Sequence, residues 1–209
     1  MWDCATGNGQ AAHGLVEHFK EVIATDASEA QLANAVPHER IEYRLAPAEE
    51  SGLEDGSVDV VHVAQALHWF DFDRFYPEAR RVLKPGGILS ITLYQHTVIE
   101  PALDVILRRF HDEVVGSHWP PRTKWSRTYY RAIPFPFDEL ESPDDLAATA
   151  VWTYPDLLGY IESWSATQRY KRALGADPVD EVRGELAAAW GAPAQERRVL
   201  WPLVVRVGR

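Results

Sequence analysis

Asp3-Cys4-Ala5-Thr6-Gly7-Asn8-Gly9-Gln10 is the stretch of this chain whose residue types could do chemistry. Its two glycines stand between a short apolar lead and a helical stripe, so it reads as a strand–turn–helix corner. Such a corner turns backbone N–H groups toward the polar end of a nucleotide-like ligand. Asp26 ends the apolar run Val22-Ile23-Ala24-Thr25, about one helix length later. A carboxylate there can accept both hydroxyls of a ribose, or it can cap the next helix. Gly7-Asn8-Gly9-Gln10-Ala11-Ala12 also fits the G-x-G-x-x-A pattern of dinucleotide binders, which would make the ligand a nicotinamide cofactor. Asp3 argues for another class. A carboxylate just before the turn repels a pyrophosphate and suits a cationic, amino-acid-like group. A tight turn without a ligand is the plainest reading of the glycines alone.

The elements that must position this corner alternate between two periods. Ala11, Ala12, Leu15, Val16 and Phe19 form a helical stripe, Val22–Thr25 a buried strand, and Ser28 with Gln31 a capping box for a helix through Val36 that Pro37 stops. Ile41–Leu45, Val58–Val63 and Ile88–Tyr94 read as further strands, and a helix through Ala79, Val82 and Leu83 is confined by Pro77 to its later part. Strands alternating with helices predict a doubly wound α/β fold with a mostly parallel sheet, the ligand lying beyond the carboxyl ends of the strands. The second half changes character. Pro101–Val114 is an amphipathic helix, and 118–137 is rich in proline, aromatic and basic residues. Thr153 with Asp156 caps a helix to Trp164, and Pro178 and Gly191 bracket another. Val199–Val207 is a final strand, which Pro202 should bulge or leave unpaired. The expected organisation is one domain over 1–209: a cofactor-binding half at 1–99, a helical cap insertion at 100–136, and strands and helices completing the sheet at 137–209.

Composition narrows the partners. The 209 residues carry a formal net charge of -10, which argues against a nucleic-acid or anionic-membrane binder. Cys4 is the single cysteine, so no internal disulfide can form and a reducing, cytoplasmic setting is expected. No apolar run is long enough to span a bilayer. The eight histidines show no metal-ligand spacing, so no metal is expected.

Taken together, these motifs resemble class I S-adenosylmethionine-dependent methyltransferases, of the type 11 methyltransferase-domain kind. That family carries an acid-x-G-x-G-x-G turn, an acid ending the second strand, and an alanine-acid pair after the third. Asp3-x-Ala5-x-Gly7-x-Gly9, Asp26 and Ala48-Glu49 match in order and spacing. Arg80-Arg81-Val82-Leu83-Lys84-Pro85-Gly86-Gly87 is similar to the family's helix-to-fifth-strand turn. Ala64-Gln65-Ala66-Leu67-His68-Trp69-Phe70-Asp71 is similar to the branch of trans-aconitate methyltransferases. The resemblance implies a seven-stranded Rossmann-like sheet with an antiparallel last strand, and S-adenosyl-L-methionine as cofactor. It implies cofactor contacts from Asp3, Ala5, Gly7, Gly9, Asp26, Ala27, Ala48, Glu49 and Gln65. The chain departs from the family at Ala5, where the first motif glycine belongs, and at Pro47, where many relatives carry an adenine-binding aspartate. Relatives also carry a helix and more of the first strand before the turn. A truncated form, a covering partner chain or a homodimer is therefore expected.

The resemblance implies methyl transfer to a small-molecule acceptor. Gln65, His68 and Trp69 follow the fourth strand and are the candidate catalytic group. Gln65 would hydrogen-bond the methionine end of the cofactor or the acceptor. His68 would be a base or a wall, and Trp69 a cation–π partner of the sulfonium or plain core. Arg122, Lys124, Arg127 and Tyr129 lie in a basic, aromatic stretch that stands out against the acidic whole. They would hold an acidic acceptor such as a carboxylate, or simply form a solvated loop. A nicotinamide-dependent oxidoreductase and a non-catalytic protein of the same fold are the rival readings.

Overall fold

In the computed structural model, which describes residues 1–209, strand and helix alternate along the first half of the chain. The elements are β1 (Trp2–Cys4), α1 (Gln10–Leu15), β2 (Val22–Asp26), α2 (Glu29–Leu32), β3 (Ile41–Leu45), β4 (Val58–Ala64), α3 (Phe72–Val82) and β5 (Leu83–Tyr94). They continue with α4 (Pro101–Arg109), α5 (Lys124–Arg127), β6 (Glu139–Leu140), β7 (Ala147–Trp152), α6 (Tyr154–Ser163), α7 (Ser165–Leu174), α8 (Asp180–Trp190) and β8 (Arg197–Gly208). The sheet order is β3-β2-β1-β4-β5-β8-β6, and β7 also pairs β8. β1 runs parallel to both β2 and β4, and β2–β3 and β4–β5 are parallel as well. β8 is antiparallel to β6 and β7. This is the Rossmann-like arrangement, with one strand, β7, added to the expected seven.

Several local expectations change. Pro77 lies inside α3 instead of limiting it. The turn there is held by the buried Phe75, Tyr76, Ala79 and Val82, whose burial outweighs one lost backbone hydrogen bond. The helix after Ser28 is a single turn. Ser28 Oγ accepts from the Gln31 amide at 3.4 Å, but the turn buries no side chain that would extend it. The Pro101–Val114 stripe is α-helical only to Arg109 and widens into a π turn over Phe110–Val114. Pro202 sits within β8 opposite Ala147, and its carbonyl accepts from the Gln95 amide at 2.7 Å. The Thr153–Asp156 capping box is present. α7 has no counterpart in the sequence reading, because it follows α6 with only Trp164 between them.

The chain packs as two compact units. One comprises Met1–Leu93, Thr128–Asp144 and Val204–Arg209; the other comprises Tyr94–Arg127 and Asp145–Leu203. These bounds differ from the cap insertion expected at 100–136. In the first unit, Met1, Ala12, Val16, Val22, Ala24 and Ile41 form one core cluster. In the second, Leu103, Phe110, Leu157, Ile161, Leu186 and Trp190 form another. Short as it is, β1 is enclosed, with Trp2 and Cys4 fully buried. The Trp2 indole N–H donates to Thr25 Oγ1 at 2.8 Å.

His62 lies in the middle of the sheet, opposite Asp3 on β1 and Ser90 on β5. Its ring nitrogens reach only Ser90 Oγ and Thr92 Oγ1, at 3.4 and 3.5 Å. Burial pushes its pKa down to about 4, so the native state holds it neutral. The unfolded chain therefore protonates first as pH falls, and His62 costs stability progressively between about pH 6.5 and 4. The ceiling on that loss is about 3 kcal/mol. Asp3 works in the opposite sense. Burial raises its carboxyl to about 6, so it favours the fold as pH falls through that value. We predict that His62→Gln flattens the fall in urea-derived stability below about pH 6.5. An unchanged acid slope in the variant would contradict a neutral, buried His62.

Candidate active site

The glycine turn is built on left-handed backbone. Ala5, Gly7 and Gly9 have φ of 56°, 60° and 89°. For Ala5 that conformation is strained, at a cost of about 1–2 kcal/mol. The turn is fastened by Thr6 N–H donating to the Thr25 carbonyl at 2.8 Å and Gly9 N–H to the Thr6 carbonyl at 3.0 Å. A Cβ on Gly9 would overlap the Tyr43 hydroxyl, whereas one on Gly7 would meet nothing nearer than Gln31 Oε1 at 3.9 Å. Gly9 is thus required by packing, and Gly7 by its backbone angle. Asp26 joins the turn to the end of β2. Its Oδ2 accepts from the Gly7 amide and its Oδ1 from the Ser28 amide, each at 2.8 Å.

Beside this turn opens a cleft of about 520 Å³, formed wholly within the first unit. Ala5, Gly7, Asp26, Ala27, Ala48, Glu49, Gln65 and Trp69 line it, all of them candidates from the sequence. Ser28, Gln31, Ala46, Pro47 and Phe70 line it too and were not among those candidates. Each is a near neighbour of a motif residue, so counting outward from Asp26, Ala48 and Trp69 would have found them. The volume falls in the usual range for small-molecule sites, about 300–1,000 Å³. It combines small side chains, a left-handed amide turn and one strand-end carboxylate, which suits a nucleoside carrying an amino-acid tail.

Three of the cofactor and catalytic candidates stand off the lining. Asp3 is buried behind the turn, where Oδ2 accepts from the Thr6 hydroxyl and Oδ1 has no partner. Burial raises its pKa to about 6, with the Thr6 hydrogen bond opposing. Its carboxyl is thus held by the turn itself and does not line the cleft. Gly9 packs on Tyr43. His68 is buried, with Nδ1 2.6 Å from the Tyr130 hydroxyl, and burial lowers its pKa to about 4. It is a neutral bracing group at pH 7. Its neighbour Trp69 is half-exposed, the two ring centroids 4.8 Å apart.

The loop that carries Ala48 and Glu49 is held from behind. Glu49 Oε1 accepts from the Asp71 amide at 2.8 Å. Farther on, Ser51 donates through its amide and hydroxyl to Glu78 Oε1, and Arg81 donates to both Glu78 oxygens. Burial alone would raise the Glu78 pKa, but these hydrogen bonds bring it down to about 2. Gln65 follows β4 with φ 55°, and its amide donates to the Thr92 carbonyl at 2.9 Å. A non-glycine residue held in that region marks stored strain at a functional edge. Arg122, Lys124 and Arg127 belong to the second unit and Tyr129, with φ 50°, to the first; none lines the cleft. Lys124 Nζ lies 4.8 Å over the Trp125 ring.

Comparison with known proteins agrees with this geometry. Residues 2–91 match the model of a methyltransferase domain. A protein of Dictyostelium discoideum named as a methyltransferase is 34% identical over 191 residues, covering 90% of this chain and 72% of that protein. A protein of Mycolicibacterium smegmatis named as an S-adenosylmethionine-dependent methyltransferase is 32% identical over 111 residues, 52% of this chain and 43% of that protein. Among solved structures, one described as a type II methyltransferase from Anaeromyxobacter dehalogenans superposes with a TM-score of 0.92 at 44% identity. It covers 100% of this chain and 88% of its own. The nicotinamide reading of the turn is thereby overturned: the cofactor of this family is S-adenosylmethionine. This chain belongs to the class I S-adenosylmethionine-dependent methyltransferases and is an enzyme of that family.

Proposed function

We propose that this enzyme methylates a small molecule that presents a carboxylate, with its cofactor held in the cleft beside Asp26. The observation that carries the cofactor reading is the Asp26 carboxylate. Each oxygen already takes one backbone amide, which fixes its orientation, and each keeps a lone-pair direction for a ribose hydroxyl. S-adenosylmethionine, when bound, supplies an electrophilic methyl group on a sulfonium. Pro47 and Ala48 would flank the adenine, and Gln65 and the Gly7 turn would hold the methionine end. Trp69 would offer its ring face to positive charge.

The acceptor class rests on what the chain does with its bases. The two carboxylates of the cleft, Asp26 and Glu49, are engaged by backbone amides, and His68 is engaged by Tyr130. An acceptor that is already ionised needs no proton removed, so the protein has only to position it and exclude water. The basic stretch Arg122–Arg131 supports an acidic acceptor, as does the motif 64–71 that resembles the trans-aconitate branch. The single cysteine supports a cytoplasmic setting, and no helix is long and apolar enough to cross a membrane.

Titration calorimetry with S-adenosylhomocysteine is expected to show saturable one-to-one binding. Asp26→Ala should weaken it about 100-fold, since two charge-assisted hydrogen bonds and the anchor of the turn are lost together. Equal affinity in the variant would contradict the ribose assignment. Ala5→Gly should raise the unfolding free energy by up to about 1 kcal/mol. Relief of the left-handed strain exceeds the added entropy of the unfolded chain. A loss of stability would show that the Ala5 methyl is needed for packing.

A further inference from the structure

The segment between β3 and β4, residues 46–57, contains no strand or helix, yet its first residues wall the cofactor cleft. With no ladder of its own, such a segment takes its shape from outside ties. The Ala46 amide donates to the Asp26 carbonyl at 3.0 Å, and the Glu50 amide closes a turn on the Pro47 carbonyl at 3.3 Å. Glu49 Oε1 accepts from the Asp71 amide at 2.8 Å. Inside that turn the Ala48 amide has no acceptor in the protein, although Ala48 is buried and lines the cleft. A buried donor left open beside a cleft is a place for a ligand's acceptor atom.

The exit of the turn rests on α3. Glu78, buried on that helix, takes the Ser51 amide at 2.8 Å and the Ser51 hydroxyl at 2.5 Å, both on Oε1. Arg81 donates to both Glu78 oxygens at 2.8 Å, to the Leu53 carbonyl at 2.8 Å and to Asp55 Oδ1 at 2.6 Å. The Arg81 carbonyl accepts from the Gly56 amide at 2.8 Å. Burial works against the Glu78 charge, but the hydrogen bonds from Arg81 and Ser51 keep it ionised. The turn that bears Ala48 is therefore tied to β2 at its entry and to one carboxylate of α3 at its exit. Glu78 itself does not line the cleft. Pro47 offers a ligand neither an N–H nor a polar side chain, so recognition at this wall falls to the backbone beyond it.

We propose that Glu78 is a positioning residue for the adenine of the cofactor: through Ser51 it aims the Ala48 amide at the ring nitrogen N1, and so selects adenine over hypoxanthine. This rests on the reading that the adenine lies against Pro47 and Ala48. Adenine N1 carries a lone pair and accepts from the amide. Hypoxanthine N1 carries a hydrogen, so two donors would meet there and the amide would stay unpaired. A hydrogen bond weakens steeply once donor and acceptor fall out of line, so the selection depends on how firmly the turn is held. Ser51 and Glu78 supply that hold without touching the base.

The test is calorimetry of the full chain with S-adenosylhomocysteine and with S-inosylhomocysteine, which differ only in the base. The unaltered protein should bind the adenine ligand about tenfold or more tightly than the hypoxanthine one. Glu78→Gln keeps the size of the side chain and removes its charge. It should weaken S-adenosylhomocysteine about five- to tenfold and S-inosylhomocysteine less than about twofold, so the preference collapses. Ser51→Ala leaves the Glu78–Arg81 pair in place and should lose about two- to threefold of the preference. Retained S-inosylhomocysteine affinity shows that each variant is folded with its ribose site intact; if Glu78→Gln does not fold, Ser51→Ala decides by the same criterion. A preference kept in the variants, or an equal weakening of both ligands, overturns the role of Glu78 and leaves the adenine placement standing. Equal binding of the two ligands by the unaltered protein overturns the placement, and the proposal with it.

Discussion

The Asp26 carboxylate is the constraint on which the rest of the site depends. It is one side chain at the end of one strand, and it ties two backbone amides, Gly7 and Ser28, on either side of the cleft floor. The first amide belongs to the turn after β1 and the second to the cap of α2. An ionised acceptor sharing two N–H donors is a strong interaction, about 1.5–3 kcal/mol for each bond to a charged group. Without it, the left-handed turn would lose its tie to the end of β2 and keep only its inner bonds, from Thr6 to Thr25, from Gly9 to Thr6 and from Thr6 to Asp3. Parallel pairing of β1 with β2 brings these groups to the same end of the sheet. The geometry of a cofactor site therefore follows from strand register and one carboxylate.

Strain is gathered around this cleft. Ala5 and Gln65, both on its lining, have positive φ without being glycine. Each follows directly on the carboxyl end of a strand, where the chain must leave the sheet sharply. The cost is borne because the neighbouring strands leave no alternative path: Gln65 N–H is held by Thr92, and the residues on both sides of the bend are paired or buried. The supporting residues are less visible but as specific. Asp3, His62 and His68 are all titratable, all buried and all behind the lining. Their shifted pKa values reflect burial and not chemistry, so a perturbed value alone would have pointed to the wrong side of the turn.

Much of this was legible in the residues. β3 was marked to the residue and β2 to within one, and Asp26 by its position at the end of an apolar run. The Thr153–Asp156 box was legible because capping is a local interaction between near neighbours. What stayed hidden was decided by distant partners. Asp3 belongs to the motif, but which way its side chain turns depends on the pleat of a three-residue strand. Pro77 predicts a break, yet the helix passes through it because the buried residues around it fix the helical path. The bond between His68 and Tyr130 spans 62 positions in sequence, and no local pattern announces it. β7 is largely exposed and lacks the apolar alternation of a half-buried strand, so only its pairing with β8 reveals it.

The central claim is that the cleft beside the Gly7 turn holds S-adenosylmethionine by its ribose, on Asp26. A crystal structure with bound S-adenosylhomocysteine tests it most directly. The account predicts the ribose hydroxyls at about 2.5–3.0 Å from Asp26 Oδ1 and Oδ2, with the Gly7 and Ser28 amides still bound to the same carboxylate. A ligand whose ribose lies away from Asp26, or an Asp26 that lets go of Gly7 to receive it, would contradict the account.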